Sequence, residues 1–343
     1  MDKQFKFRVI VTLGPAVLKE NNLRLIDELG PCIFRINGSH YADTEEVYHL
    51  IAKLRQILPD VKLWLDLPGN KVRTSGLLSP IRFKKGEAFD LYVHQLNFPA
   101  FYRYLKSGEQ ISANDSTYIF EVKSVKQDSI QLISHCDGVL ANNKGLHIPG
   151  IYANFPFLFE KDRELIKIVS DARVDYLALS YVREREDIIM VKEILNQLDN
   201  ATTEVIAKIE TLAAVCHQDD ILPEIDSILI DRGDLSCDVG MIHMPRYQEK
   251  IISAAQDKGK NIFLATQFLK NMEKNPIPSI AEEIDLYRTI KTGIAGIQLS
   301  EETAIGMYPV DCVRHIFEMV KNLFPGDMIL SKKLFDQSSV VEN

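Results

Sequence analysis

Short apolar runs rich in β-branched residues alternate along this chain with longer stretches whose apolar residues recur every three or four positions. A side-chain period of two marks a strand and a period near 3.6 marks a helix, so the alternation predicts a strand–helix chain. Strands are predicted at 7–13, 32–37, 62–67, 176–182, 204–210, 227–233, 261–266 and 296–300. Amphipathic helices are predicted between most of them, among them 44–57 (TEEVYHLIAKLRQI), 160–172 (EKDRELIKIVSDA) and 309–323 (PVDCVRHIFEMVKNL). Eight strands joined by helices imply a parallel sheet, doubly wound or closed, and eight is the number that closes a (β/α)8 barrel. That α/β fold is the expectation.

One interval breaks the rhythm. Between Leu67 and Tyr176 the runs 81–93, 118–124 and 129–134 read as short β-strands separated by turn residues. A small all-β lid domain, residues 77–147, is expected there as an insertion, with the barrel formed by 1–76 and 148–325. The segment Lys144-Gly145-Leu146-His147-Ile148-Pro149-Gly150 returns the chain to the barrel, and the tail 326–343 carries little pattern and is expected to be loosely ordered.

Composition narrows the classes. With 46% hydrophobic and 26% charged residues the chain reads as globular, and a net charge of −8 argues against a general nucleic-acid surface while leaving room for a local cationic pocket. No apolar run approaches the ~20 residues of a membrane span, and the opening Met-Asp-Lys-Gln-Phe-Lys lacks a secretory pattern. The expectation is a cytoplasmic protein with no membrane partner. Cys32, Cys216 and Cys312 lie in apolar runs and are expected to be buried thiols.

In a parallel barrel the loops that converge on one mouth follow the carboxyl ends of the strands. Those ends carry Arg35, Asn37, Ser39 and His40; Asp66, Lys71 and Arg73; Ser180; Lys208 and Glu210; Asp231, Gly233 and Asp234; Thr266; and Glu301 and Glu302. Residues two apart on a strand share a face, so Lys208 and Glu210 point together. Taken singly they read as a structural ion pair. With Asp234, Asp66, Arg35 and Arg73 at the same mouth, carboxylates for a divalent metal stand beside cations for a phosphate, the requirements of phosphoryl transfer. There is no GxxxxGK[ST] and no GxGxxG.

At these residues the sequence resembles the pyruvate kinase family. VTLGPA (11–16), FRINGSH (34–40), LDLPGNKVRT (65–74), KGLHIPG (144–150), LSYVR (179–183), AKIE (207–210), DRGDL (231–235), ATQFL (265–269), PIPSIAEEID (276–285) and SEETAIGMYP (300–309) match its motifs in order. The resemblance implies that Glu210 and Asp234 hold Mg2+ or Mn2+, that Lys208 neutralises the phosphoryl group, and that Arg35 positions it. It implies that the N–H groups of Gly233 and Asp234, with Thr266 and Ser180, bind the substrate, and that Thr266 lies where the enolate is protonated. Asn37, Ser39 and Asp66 match the monovalent-cation site. Arg73, Asn37, His40, Pro15 and Lys144 match nucleotide contacts, and Asp115 resembles the aspartate of the family's lid.

The chain departs from the family pattern at several places. Lys71 stands where potassium-dependent members carry glutamate, which implies that K+ is not required. Glu301 replaces a glycine, Asp231 and Ser236 replace small residues, Asp238 a glutamate, Ile280 an arginine and Ser116 a glycine. The activity the resemblance implies is phosphoryl transfer from phosphoenolpyruvate to ADP, giving pyruvate and ATP. The alternative is a pathway enzyme that handles another enolpyruvate, oxaloacetate or a 2-ketoacid through a metal-bound enolate. Retention of Lys208, Glu210, Asp234 and Thr266 together counts against a catalytically silent binding protein. The family's carboxyl-terminal regulatory domain is expected to be missing, and a monomer or homodimer is expected rather than a tetramer.

Overall fold

A computed structural model describes residues 7–41, 43–114 and 117–325 of the chain. Eight parallel strands close into a barrel: Arg8–Thr12, Cys32–Asn37, Leu63–Asp66, Tyr176–Leu179, Glu204–Ile209, Ser227–Asp231, Asn261–Ala265 and Gly296–Leu299. Each pairs with its sequence neighbour in the barrel, and the last pairs with the first through Arg8↔Gly296. All eight begin within one residue of the position expected from their hydrophobic pattern. Such strands are buried on both faces, which is why they read as nearly continuous apolar runs.

Two apolar layers hold the barrel. Outside it, side chains such as Val9, Phe34, Leu65, Leu179 and Ile230 pack against the surrounding helices, including Thr44–Ile57, Glu160–Asp171 and Pro309–Leu323. Inside it, Ile10, Ile33, Trp64, Ala178, Ile206, Leu229, Phe263 and Ala265 form a separate cluster. Trp64 meets Phe263 edge-on at 5.6 Å and tilts over Tyr176 at 5.7 Å. The interior is therefore filled by side chains and is no channel.

Between the third and fourth barrel strands the chain builds a second, antiparallel sheet of six strands, in the order Val72–Arg73, Gly145–His147, Gln110–Ala113, Tyr118–Val125, Ser129–Ser134 and Ala88–Tyr92. A two-stranded ribbon, Ile81–Phe83 with Gly138–Leu140, stands beside it. The run 81–93 is broken by a turn at Lys84–Glu87 in which Gly86 takes φ 80°, so it yields two strands where the alternation suggested one. The apolar core of this region takes in Ile151, Tyr152, Phe155 and Tyr181. Tyr152 and Tyr181, 4.5 Å apart, thus join the sheet to the loop after the fourth barrel strand.

One expectation is corrected here. Cys32 and Cys312 are buried, but Cys216 is exposed. It ends the short helix Leu212–Cys216, whose inward face is taken by Ala214 and Val215. Asp115, Ser116 and the tail 326–343 lie outside the described residues. Among the described residues no helix is long and apolar enough to cross a membrane.

Candidate active site

The carboxyl ends of the barrel strands open into a cleft of about 720 Å³. Among the side chains lining it are Arg35, Asp66, Lys71, Ser180, Lys208, Asp231, Asp234 and Thr266. Its walls explain why the local sequence is glycine-rich. A Cβ on Gly14 would collide with the backbone of Ala304, so the loops after the first and last strands meet here. Gly69, at φ 65°, donates its N–H to Asp162 and has Ser180 Cβ only 2.9 Å from where its own Cβ would be.

Lys208 is the hub. It is 4% exposed, and its Nζ lies 2.9 Å from Glu210, 3.5 Å from Asp231 and 3.8 Å from Asp66, while donating to the Ser180 hydroxyl at 3.2 Å. Burial works against its charge, but Glu210, Asp231 and Asp66 outweigh that and raise its pKa above the usual lysine value. Glu210 is 1% exposed. Burial pushes its pKa up to about 8; Lys208 opposes that rise, and the Asp234 and Asp231 charges add to it. The other Glu210 oxygen accepts the N–H of Tyr181 at 2.8 Å. Arg35 grips Asp66 through Nε (3.0 Å) and Nη2 (2.6 Å) and donates Nη1 to Thr12 at 2.8 Å. Trp64 also donates its indole N–H to Asp66.

Lys71 reaches Asp234 at 2.6 Å. Gly145 makes this possible, since a Cβ there would collide with the Lys71 stem. Burial disfavours the Asp234 carboxylate, yet Lys71 and Lys208 overcome it and hold its pKa far below the usual range.

The helix Arg232–Val239 begins directly at the end of the sixth strand, with Asp231 as its N-cap. Asp231 Oδ1 accepts the N–H of Gly233 at 3.2 Å and the hydroxyl of Thr266 at 2.7 Å. Thr266 sits at φ 82° and Gln267 at φ 59°, positions a β-branched or bulky residue rarely adopts. Arg232 supports that turn: its Nε donates to the Thr266 carbonyl at 3.0 Å and its Nη1 to Asp285 at 2.7 Å, and its guanidinium lies 3.9 Å over the Phe268 ring.

The other expected residues divide. Pro15, Asn37, Ser39, His40 and Arg73 line the same cleft. Arg73 Nε is buried with no hydrogen-bond partner among the described residues, leaving a donor for an anion. Asn37 accepts from the N–H and hydroxyl of Ser39. The four residues of the monovalent-cation pattern are thus engaged separately: Asn37 with Ser39, Asp66 with Arg35 and Lys71 with Asp234. Lys144 is not among the lining residues; its backbone pairs with Thr74 at the turn into Gly145–His147. Asp231 was read from the sequence as one of the polar residues at the mouth but was given no role there, and Arg232 and Gln298 were not singled out. The signal for two of the three was available: Leu229 and Asp231, like Ile206 and Lys208, are two apart on one strand, and Gln298 follows Gly296 in the same way.

The donor set suits a divalent metal. Glu210, Asp231 and Asp234 each offer an oxygen within 4.8 Å of the others, and Glu210 Oε2 stands buried against the Lys208 ammonium at 2.9 Å. Hard carboxylate oxygens beside an open cleft leave room for substrate oxygens and water. A second acidic group, Glu273, Glu301 and Glu302, lies at the rim.

The family model described as pyruvate kinase, barrel domain, matches residues 4–313. The pyruvate kinase of Geobacillus stearothermophilus is 30% identical over 330 residues, which cover 92% of this chain and 56% of that enzyme. That of Thermotoga maritima is 28% identical over 328 residues, covering 92% of this chain and 70% of the enzyme, and that of Aeropyrum pernix is 29% identical over 315 residues, covering 90% and 68%. The chain therefore spans little more than half of the first of these relatives. It belongs to the pyruvate kinase family.

Proposed function

We propose that this protein transfers the phosphoryl group of phosphoenolpyruvate to ADP, giving pyruvate and ATP. The observation that carries the reading is the convergence of Lys208 with Glu210 and Asp234 beside Arg35 at one barrel mouth. Phosphoryl transfer asks the protein to position and neutralise rather than to form a covalent bond. Arg35, held by Asp66 and Thr12, presents a fixed guanidinium to the phosphoryl oxygens. Lys208, kept charged by the acids around it, offsets the negative charge in flight. Glu210 and Asp234 would hold Mg2+ or Mn2+, which supplies Lewis-acid neutralisation of substrate oxygens. Thr266, with the N–H groups of Gly233 and Asp234 at a helix start and Ser180 nearby, receives the substrate carboxylate. The Thr266 hydroxyl then stands by the face on which the enolate gains its proton. Arg73, Asn37, His40 and Pro15 line the cleft and would meet the diphosphate.

Lys71 supports a reaction without K+, because its ammonium is already fixed against Asp234. A second reading, turnover of another enolpyruvate, oxaloacetate or a 2-ketoacid, is favoured by Glu301, which lines the cleft and adds charge facing Arg35. Initial rates of pyruvate formation from phosphoenolpyruvate and ADP in Mg2+, with and without K+, set against a panel of oxo-acids, separate the two. Turnover of the standard pair, unchanged by K+, is expected. Negligible turnover of that pair with release of product from an oxo-acid would replace the first reading by the second.

A further inference from the structure

We propose that Asp231 is an internal competitor for the substrate carboxylate, a protein carboxylate seated on the donors that would otherwise receive it. The proposal rests on the reading of Gly233 and Thr266 as those donors. Asp231 Oδ1 takes the Gly233 N–H at 3.2 Å and the Thr266 hydroxyl at 2.7 Å, while Oδ2 lies 3.5 Å from Lys208 Nζ. A helix start, a hydroxyl and an ammonium thus surround one carboxylate.

Capping alone does not explain this arrangement. An aspartate N-cap ordinarily accepts an N–H two or three residues on, which accounts for the bond from Gly233 and nothing more. The hydroxyl comes from a different strand end, and the backbone that presents it is held at φ 82° by the Arg232 guanidinium on its carbonyl. The space is also small. A Cβ on Gly233 would stand 3.1 Å from Thr266 Cγ2 and 3.4 Å from Asp231 Oδ1, so both side chains press close against Gly233. Two carboxylates in contact would also repel each other.

An incoming phosphoenolpyruvate must therefore displace Asp231 from Thr266 and Gly233 before its own carboxylate is held. Asp231 weakens the binding of any small carboxylate that depends on those two donors, and it sets the selectivity of the cleft against them.

Oxalate, a small dicarboxylate with the shape of the enolate, is the probe. Its binding in Mg2+ is measured by calorimetry for the wild type, Asp231→Ser and Asp231→Asn, together with KM and kcat for phosphoenolpyruvate. Serine and asparagine both keep a capping oxygen, so the helix start is preserved while the charge is removed. Oxalate is expected to bind Asp231→Ser at least about tenfold more tightly than the wild type, the scale of one charge-assisted hydrogen bond regained. KM for phosphoenolpyruvate is expected to fall by more than kcat changes. Equal or weaker oxalate binding in both variants would overturn the proposal. Loss of Mg2+ binding in the variants, titrated without oxalate, would make Asp231 a metal ligand and overturn it too. A wild type that turns over phosphoenolpyruvate, with no gain in the variants, would sink this inference alone. Absence of both binding and turnover in every protein would sink the functional reading as well.

Discussion

The interior of the barrel and its mouth are built by the same strands, two residues apart. Ile10, Ile33, Trp64, Ala178, Ile206, Leu229 and Phe263 fill the interior. Two positions further on stand Thr12, Arg35, Asp66, Ser180, Lys208, Asp231 and Ala265, all polar except the last. Both sets are largely shielded from water, yet one is held by dispersion and the hydrophobic effect and the other by paired charge. On the proposed function, the step from one layer to the next is where the chain stops supporting itself and would begin to hold a ligand. Buried charge of this density is poor economy for stability alone, because desolvation takes back much of what pairing contributes.

The sharpest way to break this contrast is to change one residue in each layer of the fifth strand. Lys208→Met leaves Asp66, Glu210 and Asp231 facing each other without their shared cation. Turnover is expected to fall about a thousandfold or more, and stability by roughly 3–5 kcal/mol, read by steady-state rates and denaturant unfolding. Ile206→Ala, two residues earlier, is expected to lose roughly 2–5 kcal/mol of stability through the cavity it leaves. Its KM should stay near the wild-type value at temperatures where it is folded. If both variants lost activity in the same proportion, the separation of layers would fail.

Much of this was legible in the chain, and the limits of legibility are physical. Strand starts and the helices 44–57, 160–172 and 309–323 follow from periodicity, because burial repeats with the backbone. Strand ends at the mouth were read too long. The fourth ends at Leu179, with Tyr181 turned to φ 58°, and the sixth passes at Asp231 straight into a helix. Local apolar pattern continues through the first of these turns, but the backbone at both is set by partners distant in sequence. Lys208 and Glu210 were readable as one face of one strand. Asp231 was readable as a strand-end polar residue and as a departure from the family pattern, but its role was not, because its partner Thr266 comes from the next strand. Cys216 shows the same limit in reverse: an apolar neighbourhood does not say which face of a one-turn helix turns inward.

Carboxylates sharpen the comparison further. Asp66 and Asp234, each beside cations, are held below the usual range, whereas Asp162, buried at the start of the helix Glu160–Asp171, is not beside a lysine or arginine in its hydrogen bonds. Burial raises the Asp162 pKa to about 6, against the N–H bonds from Phe159 and Gly69 that lower it. A carboxyl whose folded pKa lies above its unfolded value binds more protons when folded. Its contribution to stability is therefore complete at low pH and is lost as pH rises through about 4 to 6. That loss, up to about 3 kcal/mol, is expected in the wild type and missing in Asp162→Asn when unfolding is followed across this range. Parallel curves for the two proteins would contradict it.

The smallest effect concerns the strained turn at the mouth. Arg232→Lys keeps the charge but loses the fork that holds the Thr266 carbonyl and Asp285 together. A decrease of about tenfold in kcat/KM for phosphoenolpyruvate is expected, with a melting temperature close to that of the wild type. A large loss of stability with unchanged kinetics would make Arg232 a brace for the fold and not for Thr266.

The most direct test follows a radiolabelled phosphoryl group from phosphoenolpyruvate to ADP in Mg2+, comparing the wild type with Lys208→Met. Label is expected to appear in ATP with the wild type, to depend on the metal, and to be nearly lost in the variant. Equal transfer by both proteins, or none by a folded wild type that binds Mg2+, would contradict the account.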